Sequence, residues 1–218
     1  MRKSVLFAFI SLTGALLNII ANIIFAGFVG LPLFLDTIFT IAVTLYCGLV
    51  WGVLCGALSN IINGIVWFNG WGGFLFALCS IATAFITWLF MRLFPGELNP
   101  AGTEQKILPF FYKSNKMNRI MDKMIVLILL SFALCLVISV LGGFTAALLL
   151  SIPDSHSPGA MISPGFSKTM FSQNFPVILT EIFSRIPINI IDRLISVFAG
   201  YGIAFGMRSL FRFSSQRP

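Results

Sequence analysis

Six polar residues recur at helical intervals in the last apolar segment of the chain. They are spaced four, four, three, one and three residues apart: Glu181, Arg185, Asn189, Asp192, Arg193 and Ser196. On a helix, five of them share one face and Arg193 lies beside it. Glu181 and Arg185 can form an ion pair, and the remaining side chains can donate or accept hydrogen bonds. This row therefore has the chemistry to bind a small charged or polar molecule.

Four earlier apolar segments carry further polar residues, many of them one helical turn apart. The set comprises Asn18 and Asn22, then Asp36, Thr40 and Thr44, then Asn60 and Asn63, and finally Ser80, Thr83 and Thr87. Trp67 and Trp71 follow the third group. Tryptophans in such positions most often anchor a helix at a membrane interface. Five segments thus contribute groups that could meet in one polar region.

The sequence lacks the motifs of nucleotide binding, hydrolysis and metal binding. It contains no GxxxxGK[ST] loop, no HExxH and no GxSxG. The four cysteines lie in apolar runs without CxxC spacing: Cys47, Cys55, Cys79 and Cys135. We expect no cofactor and no metal site, and we do not expect an enzyme.

Composition identifies an integral membrane protein. The 218 residues are 58% hydrophobic, and only 10% are charged, with a mean hydropathy of +0.98. Soluble domains contain roughly 45–50% apolar and about 25% charged residues. A soluble fold, a disordered chain and a nucleic-acid-binding domain are excluded on these numbers. In a membrane each ionisable group costs roughly 2.5–3.5 kcal/mol on insertion scales, so the buried charges indicate function.

Positive charges decide how often the chain crosses the bilayer. The stretch 37–66 holds 30 residues without a charge, long for one helix and short for two. If it folds back, eleven basic residues collect on one side: Arg2, Lys3, Arg92, Lys106, Lys113, Lys116, Arg119, Lys123, Arg208, Arg212 and Arg217. Because Lys and Arg concentrate in cytoplasmic loops, this arrangement is strongly preferred. It predicts an all-α protein with six transmembrane helices and cytoplasmic N and C termini.

The predicted spans form a single membrane domain, residues 1–218. They cover about 4–29, 36–48, 50–67, 74–94, 122–150 and 176–207, with a basic cytoplasmic linker at 95–121 and an external loop at 151–175. Gly48, Gly52, Gly56 and Gly64 recur at multiples of four and permit close helix packing, so the turn is expected near 47–52. Pro187 is expected to kink the last helix. The localisation that follows is the cytoplasmic (inner) membrane, multi-pass.

This topology brings the polar residues to one depth, in the outer half of the membrane. They are Asn22, Asp36, Thr40, Asn60, Asn63, Ser80, Asn189, Asp192 and Arg193. One interpretation is a polar cavity that opens outward and binds a small solute. The other is structural, because Asn, Ser and Thr also join helices at about 0.6 kcal/mol each. In that case Asp192 and Arg193 pair with Asp36 and hold the bundle together.

Two stretches resemble the substrate-binding (S) components of energy-coupling factor transporters. The run 31–40 reads LPLFLDTIFT, and the run 46–64 reads YCGLVWGVLCGALSNIING. They are similar to the family's "LFLD-T" stretch and to its glycine-rich "WG-x3-G-x3-N" hairpin. The run 187–193, PINIIDR, is similar to the family's last helix. The sequence-specific part covers about 45 residues, and the topology covers most of the chain.

The resemblance implies a high-affinity binding subunit for a vitamin-like micronutrient. Such a subunit docks through its first helix on a transmembrane coupling subunit, which is powered by two separate ATPase subunits. The family's docking surface is Ala-x3-Ala, and the nearest match here is Ser11-x3-Ala15. The partners implied are a small-molecule substrate, these subunits and the lipid bilayer, without nucleic acid.

Within this interpretation, the polar residues have distinct expected roles. Asp36 would bind a cationic or hydrogen-bond-donating group, and Arg185 or Arg193 a carboxylate or phosphate. Orientation would come from hydrogen bonds of Asn22, Asn60, Asn63 and Asn189, with Thr40 and Asp192 also in the site. Two other functions stay open: a sensory or structural membrane module that assembles with a signalling partner, and a small intramembrane enzyme acting on lipid.

Overall fold

The computed structural model describes residues 3–28, 35–68, 72–98, 116–150 and 176–214, and the regular elements in these ranges are all helical. Helix α1 covers Lys3–Asn22 and continues as a π-helix over Ile23–Phe28. The helices that follow are α2 (Ile38–Cys47), α3 (Leu49–Phe68), α4 (Gly72–Leu93), α5 (Pro95–Leu98), α6 (Lys116–Leu150) and α7 (Val177–Ser214). The all-α fold is therefore confirmed over the described residues.

Several predicted features lie outside the described residues. These are the external loop at 151–175, residues 99–115 of the predicted linker at 95–121, the first four residues of the run LPLFLDTIFT (31–34), and Trp71. The rest of that linker is helical, in the helix Pro95–Leu98 and from Lys116 onward. The backbone of Trp67 is described within α3, whereas its side chain is not. The predicted kink falls inside α7, which runs through Pro187 as one helix.

Four helical stretches are long and apolar enough to cross a membrane. They are Lys3–Phe25, Phe74–Leu93, Ile120–Leu149 and Val177–Leu210. Two shorter apolar stretches, Ile38–Cys47 and Leu49–Ile65, complete the set among the described residues. The chain is thus a multi-pass membrane protein.

The chain folds back on itself at Gly48, between α2 and α3. Gly48 adopts a φ of 95°, a left-handed conformation that costs glycine little, and its N–H donates to the Thr44 carbonyl at 3.0 Å. Beyond the turn, a Cβ on Gly52 would lie 3.0 Å from the Thr44 Cα, and one on Gly56 would lie 3.0 Å from the Thr40 Cγ2. These pairs are symmetric about Gly48, so α2 and α3 are antiparallel. The break falls within the stretch where the sequence predicted it.

Contacts with α1 give the same alternation of direction. Ser11 Oγ donates to the Trp51 carbonyl at 2.9 Å, and Asn18 Nδ2 approaches Cys55 Sγ at 3.8 Å, so α1 runs parallel to α3. Asn18 Nδ2 also donates to Thr40 Oγ1 at 2.9 Å, where α2 passes in the opposite direction. Helices α1, α2 and α3 therefore alternate up, down and up.

The last two helices complete this alternation. Leu35 contacts Asp192 and Leu45 contacts Arg208, so α7 runs parallel to α2. Asn189 Nδ2 donates to Ser139 Oγ at 2.9 Å, and a Cβ on Gly143 would press against Ile182, so α6 is antiparallel to α7. The beginning of α1 and the end of α7 consequently share one end of the bundle. We call it the Arg208 end, and the opposite end, where α2 begins, the Asp36 end.

The two ends differ in what they bury. An apolar core fills the Arg208 end between α2, α5, α6 and α7, with Ile41, Leu45, Leu98, Leu130 and Val197 buried in it. Large apolar side chains cover the outside of the bundle, among them Phe9, Val50 and Leu136, each more than 60% exposed. Many polar side chains are inside, and the buried charged ones (Glu181, Arg185, Asp192 and Arg193) lie toward the Asp36 end. This distribution suits a protein surrounded by lipid.

Candidate solute-binding site

Arg193 is the centre of a buried ionic cluster where α7 meets the beginning of α2. Its Nη2 lies 2.7 Å from Asp192 Oδ2 and 3.7 Å from Asp36 Oδ1, and its Nη1 donates to Thr37 Oγ1 at 2.5 Å. Both Arg193 and Asp192 are almost fully buried. One guanidinium therefore joins two carboxylates and a hydroxyl from two helices.

Asp192 also fixes the backbone that leads into α2. Its Oδ1 accepts a hydrogen bond from the Leu35 N–H at 2.9 Å. Leu35 has a φ of 45°, in the left-handed region that is unfavourable for a residue with a side chain. Such a conformation costs on the order of 1–3 kcal/mol and persists only where surrounding contacts hold it. The Asp192 carboxylate supplies one of those contacts.

A second ion pair lies two turns earlier on α7. Arg185 Nη2 is 3.4 Å from Glu181 Oε2, four residues before it. The Arg185 guanidinium also sits over the Phe76 ring of α4, 5.7 Å from its centroid. Glu181 is 1% exposed and Arg185 9%. The pairing predicted from their spacing is confirmed, and the structure adds the aromatic contact.

Amide side chains from two helices complete this polar region. Asn60 Nδ2 donates to Ser80 Oγ of α4, and Asn60 lies within hydrogen-bonding reach of the Asp36 carboxylate. Asn189 donates to Ser139 of α6, as described above. Helices α2, α3, α4, α6 and α7 therefore all reach the site.

The predicted site residues separate into two groups in the structure. Asp36, Asn60, Asp192 and Arg193 come together in the ionic cluster, and Arg185 and Asn189 belong to the adjoining turns of α7. Thr40 lies elsewhere, because its hydroxyl accepts a hydrogen bond from Asn18 and its methyl group packs against Gly56. It joins α1, α2 and α3, so its geometry matches the structural alternative.

Ser11 and Ala15 are both 2% exposed, although a docking surface needs exposed residues. The Ser11 hydroxyl contacts the Trp51 carbonyl, and Ala15 packs with Val43 and Cys55. In this structure the pair packs α1 against its own bundle. Asn22, at the other end of α1, is half-buried.

Three residues of the site were not predicted from the sequence. Thr37 and Ser139 are partners of predicted residues, and Phe76 lies beneath Arg185. Thr37 follows Asp36 directly, which was a usable signal. Ser139 and Phe76 are ordinary residues of apolar helices, and only their contacts reveal a role.

Some buried polar atoms of this region have no hydrogen-bond partner. Among the acceptors these include Asp36 Oδ1 and Asn63 Oδ1, and among the donors the Nε atoms of Arg185 and Arg193. Buried polar groups are normally paired with protein or water, so unpaired ones need an explanation. Within the described residues no group of His, Cys, Asp and Glu is arranged to hold a metal ion.

Comparisons with known proteins identified no relative of this chain. The chain matches no protein-family model, no curated protein and no solved structure.

Proposed function

We propose that this chain is a membrane-embedded binding subunit for the uptake of a vitamin-like micronutrient, and that it captures its solute at the Asp36 end. The observation that carries the proposal is the buried group of two arginines and three carboxylates at that end. Ion pairs in a low-dielectric interior contribute little net stability, because desolvation offsets their attraction. Charges within a membrane therefore point to a functional site.

The proposed topology has six crossings, with both termini in the cytoplasm. Four exposed or half-exposed basic residues support it, because Lys3, Arg92, Lys123 and Arg208 all lie toward the Arg208 end. Among the described side chains, the basic residues toward the opposite end are the buried Arg185 and Arg193. The positive-inside rule then makes the Arg208 end cytoplasmic and the Asp36 end external.

The depth of Asp36 supports a cavity reached from outside. Helix α2 has ten residues, so it extends about 15 Å, half of a hydrocarbon core of about 30 Å. With Cys47 at the inner boundary, the non-helical residues Leu35, Asp36 and Thr37 lie near the middle of the membrane. Non-helical backbone is tolerated at that depth only where protein or a water-filled cavity surrounds it. The paired charges beside these residues favour a polar cavity.

Energy for uptake would come from separate subunits. The sequence has no P-loop, so this chain does not bind ATP in that way. The function therefore requires ATPase subunits and a membrane coupling subunit as partners. Because Ser11 and Ala15 pack inside the bundle, docking would use the exposed face of α1, which carries Phe9, Leu12 and Leu16.

Purification from native membranes tests the proposal. We expect a tagged chain, extracted in mild detergent, to copurify with an ATPase and to carry a small molecule that native mass spectrometry detects. Copurification with a signalling protein, without an ATPase and without a bound molecule, would support the sensory module instead. A tagged membrane protein of similar size from the same cells serves as the control for nonspecific association.

A further inference from the structure

We infer that the bound solute presents a cationic nitrogen group, such as an ammonium, amidinium or protonated heterocycle, to Asp36. This inference rests on the proposed function and specifies the chemistry of its substrate. The sequence left both signs of charge open, with Asp36 available for a cation and the arginines for an anion. The contacts of the five charged side chains separate these possibilities.

Both arginines already pair with carboxylates of this chain, and their Nε atoms are the buried donors that stay unpaired. Arg193 contacts Asp192 at 2.7 Å, Asp36 at 3.7 Å and the Thr37 hydroxyl. Arg185 pairs with Glu181 at 3.4 Å and covers the Phe76 ring. A ligand carboxylate would have to displace Asp192 or Glu181 and leave a carboxylate buried without a cation. Leaving a buried carboxylate without its cation is costly, so an anion is disfavoured at the paired guanidinium nitrogens.

Asp36, in contrast, has bonding capacity left. Its only ion pair within 4 Å among the described residues is the 3.7 Å contact, and its Oδ1 accepts no hydrogen bond. Its side chain is 17% exposed, compared with 4% for Arg193 and 0% for Asp192. Asp36 is thus the least buried carboxylate of this cluster, and its buried Oδ1 is an acceptor that a donor group of a solute can fill.

Asn63 provides a second open acceptor nearby. It follows Asn60, which reaches Asp36, by three residues on α3 and therefore lies on the same helix face. Asn63 is 9% exposed, and its Oδ1 is buried without a partner. Two unpaired acceptors at one end of the bundle suit a group with more than one N–H donor.

The charge balance of the site agrees with this assignment. The region contains three carboxylates (Asp36, Glu181 and Asp192) and two guanidiniums (Arg185 and Arg193), which leaves one negative charge when all are ionised. An uncompensated charge is costly in a low-dielectric interior. A ligand with one positive charge would neutralise the site, whereas an anion would double the imbalance.

Three probes of nearly equal shape but different charge test the inference. Benzamidinium, benzamide and benzoate carry +1, 0 and −1, and each can be added to the full chain in detergent at equal concentration and ionic strength. We expect benzamidinium to raise the apparent melting temperature most and benzoate least. In the Asp36→Asn variant, the advantage of benzamidinium over benzamide should fall about tenfold or more in apparent affinity, the effect of one charge-assisted hydrogen bond.

Asp122→Asn is the matched control, because Asp122 lies near the beginning of α6, at the Arg208 end. It should keep the wild-type order of the three probes. Asp36→Asn retains the size and a hydrogen-bonding side chain, and its monodispersity and unliganded melting temperature report whether it folds.

Each outcome has a distinct meaning. If benzoate stabilises most, the site binds a solute but the charge inferred here is wrong. If the advantage of benzamidinium over benzamide is the same in Asp36→Asn as in the wild type, Asp36 does not bind the cation. If no probe shifts the melting temperature, both the inference and the cavity at the Asp36 end are contradicted, although copurification with an ATPase would still uphold uptake. A retained natural solute without a basic nitrogen would also overturn the inference.

Discussion

The Arg208 end and the Asp36 end of this bundle are built from the same helices, but one buries apolar side chains and the other buries charges. At the Arg208 end, Leu45 and Leu130 belong to a continuous apolar core, and Arg208 caps α2 by donating to the Leu45 carbonyl. At the Asp36 end, the backbone before α2 is held in an unfavourable conformation beside buried charges. The first arrangement stabilises the fold, whereas the second costs free energy. That difference indicates that the Asp36 end is shaped by function.

The two ends should face opposite sides of the membrane, which gives an all-or-none prediction. In a variant whose four native cysteines are replaced by alanine, Val177→Cys should react with an impermeant maleimide added outside intact cells. Lys3→Cys should react only after the cells are lysed. Labelling measured by gel shift checks both positions.

This pair of variants also separates six crossings from five. If 37–66 crosses the membrane only once, the beginning of α7 lies inside, and Val177→Cys stays unlabelled in intact cells. That result would contradict the proposed topology and remove the external cavity with it. Expression and lysed-cell labelling of each variant provide the control for folding.

Much of the fold, and the position of the polar region, could be predicted from the sequence. Gly48 could be placed in a turn because the uncharged stretch is too long for one helix and the glycine spacing favours a close hairpin. Asp36 and Arg193 could be assigned to one site because buried charges are costly and must meet. These predictions depend on segment length, residue spacing and the cost of burying charge, all of which can be read from the sequence.

The individual pairings could not be predicted, because they depend on which way each side chain turns. Neighbours at i and i+1 do not normally face each other on a helix, yet Asp192 and Arg193 are 2.7 Å apart. That contact occupies the arginine expected to bind an anion. Ser11 and Ala15 illustrate the same limit, since small residues can pack against another subunit or against their own bundle.

Removing Arg193 should have the largest effect on stability, because it breaks the centre of the Asp36 end. Arg193→Ala leaves three carboxylates with one guanidinium and should cost about 3–5 kcal/mol, seen as loss of monodisperse protein or a large drop in melting temperature. Arg208→Ala is the control at the other end, and it should cost less because Arg208 is only half-buried. Equal losses in the two variants would mean that the ends do not differ as described.

A double variant tests whether charge is the cause. Adding Asp192→Asn to Arg193→Ala restores the wild-type imbalance of one negative charge and keeps a carbonyl oxygen for the Leu35 N–H. We expect the double variant to recover part of the stability lost by Arg193→Ala. If it is less stable than the single variant, packing of the guanidinium, and not charge, dominates this site.

Close packing at the fold-back should give the next largest effect. Gly52→Ala would place a Cβ in overlap with the Thr44 hydroxyl and 3.0 Å from the Thr44 Cα, a backbone atom that cannot move freely. We expect overpacking to cost about 1–3 kcal/mol in thermal or denaturant unfolding. Gly202→Ala is the matched control, because nothing lies within 4 Å of its Cβ, and it should be neutral or slightly stabilising. Equal melting temperatures for the two variants would show that the hairpin is looser than described.

Two serines on α6 give the smallest and most local comparison of the two ends. Ser139 accepts a hydrogen bond from Asn189 on α7, so Ser139→Ala removes an interhelical bond worth about 0.6 kcal/mol on average, and up to about 1.7. Ser131 donates to the Leu127 carbonyl of its own helix at 2.8 Å. Ser131→Ala therefore removes a hydrogen bond within α6 and does not break a contact between helices. We therefore expect only Ser139→Ala to lower the melting temperature clearly.

The same pair of variants tests whether Asn189 contributes to solute binding. If Asn189 contacts the solute while Ser139 orients it, Ser139→Ala should also weaken binding of the benzamidinium probe, and Ser131→Ala should leave binding unchanged. Weaker binding in both variants would point to a general loosening of α6. A lower melting temperature with unchanged binding in Ser139→Ala would assign Asn189 to helix packing alone, and the site would then be centred on α2 and α3.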